Sequence, residues 1–108
     1  MPLDVVFDAL ANEARREIVA RLAGGPTTTP DIRQAFSFSK QALSKHMAIL
    51  EEAGLVRRSL RGRVHELTLV RAPLGEISDW LTEIRRGWQA NLDRLDVVLR
   101  NRFEEEYR

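Results

Sequence analysis

Residues 39–63 read SKQALSKHMAILEEAGLVRRSLRGR and contain the clearest structural signals in the chain. Ser39 is a favourable residue for a helix N-cap, and Gly54 easily adopts the left-handed conformation that follows many helices. Apolar residues recur between them at the spacing of one helical face, namely Leu43, Met47 and Leu50. This segment therefore predicts one helix with a single buried stripe.

The opposite face of the first two turns of this helix is polar and free of acidic residues. It carries Lys40, Gln41, Ser44 and Lys45. After Gly54 the pattern changes to two short runs rich in apolar and β-branched residues, joined at Arg61-Gly62-Arg63. These runs predict a β-hairpin over residues 55–69, with arginines at its tip.

The chain before residue 39 predicts three helices. Residues 3–23 form two of them, the second capped by Asn12 with its arginines towards solvent, and Gly24-Gly25-Pro26 ends the second helix. Thr29 is the expected N-cap of the third helix, with Pro30 at its first position. Because only Ser37-Phe38-Ser39 joins this helix to the next, residues 29–54 predict a helix-turn-helix.

A last helix is predicted over residues 74–101, with the tail 103–108 frayed. At 1.5 Å per residue this helix is about 40 Å long, whereas a domain of this size has a radius of gyration of about 13 Å. Its apolar stripe is therefore expected to pack against a second subunit, together with the segment 3–10; the alternative is a helix lying across its own core. The predicted dimer contacts are Val6, Leu10, Ile77, Leu81, Ile84, Trp88, Leu92, Leu95 and Leu99.

Composition limits the classes of function. The 108 residues, 44% hydrophobic, suffice for a single domain over 1–108, and the sequence shows neither a membrane-spanning run nor a leader, so a cytoplasmic protein is expected. The net charge is only +1, but residues 37–66 carry six Lys/Arg against three Glu. This middle third has the charge pattern of a surface for a polyanion, although an ordinary solvated face is the alternative.

The order of elements and several phrases resemble the ArsR/SmtB family of winged-helix repressors, in the branch without the metal-site motifs. The phrases are ALANEARREI at residues 9–18, residues 39–50 running into EAGLV at 52–56, and the Arg-Gly-Arg wing. The resemblance covers about residues 5–100. It implies a mainly α, dimeric winged helix-turn-helix with about five helices and a two-stranded wing, which represses transcription, often of its own gene, until a signal weakens the complex.

The resemblance also implies which residues contact double-stranded DNA. Glutamine can bond adenine, lysine can reach guanine acceptors, and arginines on a thin hairpin can enter a minor groove, so the side-chain chemistry agrees. Two such helices about 34 Å apart would read an inverted-repeat operator. The predicted contacts are Ser39, Lys40, Gln41, Ser44, Lys45, His46, Arg57, Arg61 and Arg63.

The departures from the family concern the signal. The chain has no cysteine, and the terminal helix has no histidine, so neither family metal site is present and no metal or cofactor is predicted. His46 is expected to pack or contact DNA, His65 has no partner ligand, and the Glu104–Glu106 run is expected to be solvated. Trp80 and Trp88 could line a site for a small apolar effector, although aromatic residues of this kind more often form plain interface core.

Two other classes of function remain as alternatives. An enzyme is not expected, because the chain lacks a nucleophile elbow, a phosphate-binding glycine loop and any ordered Ser-His-carboxylate set. A winged helix can also serve as a protein-interaction module without sequence-specific DNA binding. A MarR-like regulator is the other alternative, although such chains are generally longer at both ends.

Overall fold

The computed structural model describes residues 3–106. Within them lie five helices and three strands, so the mainly α, winged helix-turn-helix fold is confirmed. In chain order the elements are α1 (Leu3–Leu10), α2 (Glu13–Ala23), β1 (Thr27–Thr28), α3 (Thr29–Phe36), α4 (Lys40–Glu52), β2 (Val56–Arg61), β3 (Val64–Leu69) and α5 (Ala72–Glu106). The backbone forms two compact units, one extending to Glu76 and the other beginning at Ile77.

The starts of α2 and α3 are fixed by side-chain caps. Asn12 accepts a hydrogen bond from the Arg15 amide at 3.1 Å, as the sequence predicts. The cap of α3 is Thr28, however, whose hydroxyl accepts from the Asp31 amide at 3.3 Å. The prediction of Thr29 was therefore one residue late, and Pro30 lies within the first turn, where a missing N–H costs nothing.

Helix α4 is held at both ends by the predicted residues. The Ser39 hydroxyl accepts a hydrogen bond from the Ala42 amide at 3.0 Å. At the other end Gly54 has φ +72°, its amide donates to the Glu51 carbonyl, and the Leu55 amide donates to the Leu50 carbonyl, each at 3.0 Å. This pair of bonds is a Schellman motif, which turns the chain from α4 directly into the sheet.

The sheet has three strands rather than the predicted two. Its order is β1-β3-β2, all antiparallel, with Thr27 opposite Leu67 and Arg61 opposite Val64. Strand β1 is only two residues long, which is too short to show an alternating sequence pattern. It forms because its backbone pairs with that of β3. At the tip Gly62 has φ +65° in the first position of a two-residue loop, as a type II′ turn requires.

One apolar core lies within the unit that extends to Glu76. The stripe predicted on α4 is buried, and so are residues from both N-terminal helices, from α3 and from the sheet. The largest fully buried side chains are Val6, Ile18, Leu22, Ile32, Met47, Leu50, Leu55 and Leu67. This core fixes which face of α4 is turned to solvent.

Helix α5 is longer than predicted at both ends. It begins at Ala72 rather than residue 74, with Pro73 in its first turn, and continues to Glu106 rather than residue 101. Its 35 residues correspond to about 52 Å of helix. The side chains from Ser78 to Glu105 are exposed in the single chain. Of the tail predicted to fray, residues 103–106 are helical and residues 107 and 108 lie outside the described part of the chain.

We expect Gly54→Ala to lower the free energy of unfolding by about 1–2 kcal/mol, because a Cβ at positive φ clashes with the neighbouring backbone. Gly24→Ala is the matched control, since Gly24 has φ −79° and its added Cβ would lie 3.4 Å from the Arg21 carbonyl oxygen, at the edge of ordinary contact. Urea unfolding measures both variants. Equal losses in the two would contradict the assigned role of Gly54.

Candidate DNA-binding site

The exposed face of α4 is the centre of the site. Lys40, Gln41, Ser44 and Lys45 are all exposed, while Leu43 and Met47 in the same turns are buried. The four polar side chains, with Ala48, surround a shallow open concavity. Because the buried stripe fixes the rotation of the helix, the structure brings these four predicted residues together on one surface.

Ser39 lies at the N-terminus of this surface. Its side-chain oxygen is occupied as the acceptor of the Ala42 amide, but its O–H remains a donor. The N-terminal amides of a helix carry partial positive charge, which favours an approaching anion. Ser39 is therefore both a structural cap and a candidate phosphate contact.

The two acidic residues of α4 lie in its last turn, away from this surface. Glu51 is paired with Arg58 of β2, whose Nη2 and Nε lie 2.6 and 2.8 Å from the same carboxylate oxygen. Glu52 is exposed at the end of the helix. The cationic first two turns of α4 are therefore not neutralised by the acidic end of their own helix.

The wing presents three further arginines. Arg57 and Arg61 are four residues apart and therefore lie on the same face of β2, and Arg63 occupies the loop at the tip. Arg61 is 78% exposed, and its Nε lies 3.5 Å from Glu66, a long and solvated ion pair that contributes little to stability. All three guanidinium groups are therefore accessible to a polyanion.

His46 differs from the other predicted contacts because it is half-buried. Its ring centre lies 5.4 Å from that of Phe38, and its Nδ1 is 3.5 Å from Nη1 of Arg15. Burial, followed by the charges of Arg15 and Lys45, lowers the pKa of His46 below its usual value. These contacts favour the packing role among the two roles expected for this residue.

Arg15 is a residue whose role the sequence did not reveal. It was expected to point to solvent, yet its Nε donates to the Ala9 carbonyl at 2.6 Å and its Nη2 to the Asp8 carbonyl at 3.4 Å. Together with the His46 contact, this side chain joins the end of α1 to α4. No local pattern marks such an arginine, because its α4 partner lies 31 residues away.

The predicted dimer contacts divide into three groups by their exposure in the single chain. Val6 has no exposed surface, and a side chain without exposed surface cannot contact a partner, so the prediction for Val6 is wrong. It faces the core because its spacing from Ala9 matches the buried side of α1. Leu10 and Ile77 are half-buried. The remaining predicted contacts on α5 are exposed, namely Leu81, Ile84, Trp88, Leu92, Leu95 and Leu99.

Residues 3–106 contain no cluster of three or more His, Cys, Asp or Glu residues placed to hold a metal ion. In the same residues no helix combines the length and the apolar character needed to cross a membrane.

The chain is similar to known transcriptional regulators. Residues 10–59 match the model of a helix-turn-helix domain family. The transcriptional repressor SdpR of Bacillus subtilis is 32% identical over 76 residues, which cover 70% of this chain and 84% of that protein. The HTH-type transcriptional regulator Rv2034 of Mycobacterium tuberculosis is 34% identical over 87 residues, which cover 79% and 77%.

Solved structures agree with these sequence matches. The crystal structure of an ArsR family transcriptional regulator matches with a TM-score of 0.74 and 31% identity, covering 81% of this chain and 96% of that one. An ArsR-like regulator from Rhodococcus sp. RHA1 matches with a TM-score of 0.75 and 28% identity, covering 89% and 91%.

The fold, the exposed cationic face of α4 and these matches define a winged-helix DNA-binding transcriptional regulator. The chain belongs to the ArsR family. This membership decides against the MarR-like alternative, and the family and fold are those of a regulator rather than an enzyme.

We expect the stability of the protein to fall more steeply with acid than that of a His46→Gln variant. The pKa of His46 is lowered in the folded chain and is about 6.5 in an unfolded one, so the unfolded chain binds the proton more readily. The stabilisation is complete above the unfolded value and is lost as the pH falls through the lowered one. Urea unfolding between about pH 7.5 and 5.5 measures the free energy of unfolding of the two proteins. Parallel plots of this free energy against pH would contradict the lowered pKa of His46.

Proposed function

We propose that this protein is a homodimeric repressor that binds an inverted-repeat operator, including one upstream of its own gene, and that a signal other than a metal releases it. The observation that carries the proposal is the exposed, acid-free face of α4 within a winged-helix fold. Such a regulator acts where the chromosome lies, which in a bacterium is the cytoplasm.

Helix α4 is proposed to enter the major groove. Gln41 can form two hydrogen bonds with an adenine, and Lys40 or Lys45 can reach the O6 and N7 acceptors of guanine. Ser39 and Ser44 suit phosphate oxygens, which fix the position of the helix without reading sequence. The exposure of all five side chains supports this assignment.

The wing is proposed to follow the adjacent minor groove or its phosphates. Arg61 and Arg63 lie at the thin tip of the hairpin, and a narrow minor groove has a strong negative potential that attracts arginine. Arg57 lies further down the same strand and is better placed for a phosphate than for a base. His46 contributes by packing α4 against Phe38 rather than by direct readout.

The terminal helix is proposed to form the dimer interface. Its apolar row runs from Leu81 to Leu99 and is exposed in the single chain. Soluble proteins rarely expose a continuous apolar surface of this extent, and a two-fold partner would cover it with the same row. A dimer can hold two α4 helices about 34 Å apart, which the successive major grooves of an inverted repeat require.

The tryptophans of α5 are proposed to form either part of the dimer interface or a site for a small apolar effector. Trp88 is 65% exposed and Trp80 is also exposed in the single chain, so both have surface to offer either a partner subunit or a small apolar effector. In the first case they are interface core. In the second case an effector seated between subunits would alter the spacing of the two α4 helices and weaken operator binding.

Fluorescence anisotropy with the duplex from upstream of the protein's own gene tests the proposal. Tight binding that prefers this duplex to a scrambled one, and that weakens steeply with salt as counterions are displaced, is expected. Equal affinity for both duplexes would contradict operator recognition. No affinity for either would leave the interaction module, with an acidic protein partner, as the better account of the basic face.

We expect Gln41→Ala to reduce discrimination at particular base pairs by about 1–3 kcal/mol. Glu52→Ala is the matched control, because it shortens another exposed side chain of α4 outside the proposed contact surface. Binding to a set of single-base operator variants measures the effect. Uniform weakening on every duplex would contradict base readout by Gln41.

We expect Leu92→Asp to dissociate the dimer, because it places a desolvated charge in the proposed apolar interface. Ala90→Asp introduces the same charge at another exposed position, two residues away and thus about 200° around the helix, and should leave the dimer intact. Sedimentation equilibrium distinguishes monomer from dimer. A persistent Leu92→Asp dimer would exclude this face of α5 as the interface.

A further inference from the structure

A second concave feature lies between α3, the start of α4 and the wing. It is an open cavity of about 360 Å³, within the range typical of small-molecule sites. Arg33 of α3, Lys40 of α4, Arg58 of β2 and His65 of β3 line it from three sides. His65, for which the sequence offered no role, is thus placed beside three cationic side chains.

The cavity is electropositive because no residue that lines it is acidic. Among the cationic side chains of the cavity, the charge of Arg58 is partly neutralised by Glu51, which lies outside the cavity at 2.6 Å from its guanidinium group. Among the described residues, neither Arg33 nor Lys40 forms an ion pair. Two unpaired cations therefore converge on one cavity, with a guanidinium held in place beside them by Glu51.

The floor of the cavity is apolar. Leu43 and Met47 lie at its base with only 4% and 1% of their surface exposed, and the exposed ring of Pro30 supplies the accessible apolar surface beside them. The Ser44 hydroxyl adds a polar group at the side. A DNA phosphate needs only the cationic rim and would leave this floor uncovered. An apolar body attached to an anionic group would use both the floor and the rim.

We propose that this cavity binds an organic anion, consisting of an apolar body and a carboxylate, sulfonate or phosphate group held by Arg33 and Lys40. Lys40 and Ser44 also belong to the exposed α4 surface assigned to DNA. Occupancy of the cavity therefore excludes operator DNA from these two side chains. Exclusion of operator DNA rests on the proposed function, whereas binding of the anion to the cavity does not.

Calorimetry of the full chain without DNA tests the binding step, with naphthalene-2-sulfonate as the probe and uncharged naphthalene-2-sulfonamide as its matched control. The sulfonate is expected to bind about tenfold more tightly than the sulfonamide. Arg33→Gln should remove most of this preference, and Arg21→Gln, which changes an exposed arginine outside the cavity, should preserve it. Equal affinity for the two compounds, or an unchanged preference in Arg33→Gln, would overturn the site.

Amide chemical shifts locate the bound sulfonate. Changes centred on residues 29–33 and 40–44 are expected. Changes confined to residues 77–105 would place the compound on the exposed apolar row of α5 and would overturn the proposal. The His65→Gln variant changes the cavity wall formed by β3. It is expected to weaken sulfonate binding while its amide spectrum remains that of a folded protein.

Operator anisotropy separates the organic anion from a DNA phosphate as the occupant. The proposal predicts that the sulfonate raises the operator Kd of the wild type, and that Arg33→Gln binds the operator within twofold of wild type but resists the sulfonate. The alternative outcome is that the sulfonate does not bind, while Arg33→Gln lowers the affinity for every duplex and reduces the slope of log affinity against log salt by about one. The cavity would then bind a DNA phosphate, and the proposal would fail. Absence of operator binding by the wild type would reject the repressor function and the exclusion step, whereas the calorimetric result would still decide the site.

Discussion

Burial of one stripe of α4 is the constraint on which the rest of the molecule depends. Leu43, Met47 and Leu50 are buried, and each such side chain contributes about 1.5–3 kcal/mol when it leaves water. Rotating α4 to expose them would cost more than any gain from reorienting its lysines, so packing decides the direction of the polar face. The surface proposed to bind DNA therefore consists of the side chains of α4 that the core leaves exposed.

Local signals were sufficient to predict α4 and much of the fold, because caps and apolar spacing act over a few residues. Ser39, Gly54 and the hairpin around Gly62 belong to this class. Strand β1 and the contact between Arg15 and His46 could not be predicted in this way, because they depend on partners that are distant in sequence. Val6 was misassigned for a related reason, since a short helix with apolar residues on several sides does not show which of them meets the core.

The distribution of charge separates the possible functions of the two ends of α4. Glu51 engages Arg58, which fixes β2 against the end of the helix and confines negative charge there. The lysines of the first two turns are proposed to bind an anion, either the operator or the ligand of the adjacent cavity. The proposed function thus places structural pairing at the C-terminus of α4 and recognition at its N-terminus, and it assigns self-association to the separate apolar surface of the terminal helix α5.

Hydroxyl-radical footprinting on an operator selected from random sequence tests the central claim most directly. The account predicts two protected half-sites related by two-fold symmetry, with centres about 10 base pairs, one helical turn, apart. A single asymmetric patch of protection, or uniform protection without sequence preference, would contradict a symmetric pair of α4 helices reading successive major grooves.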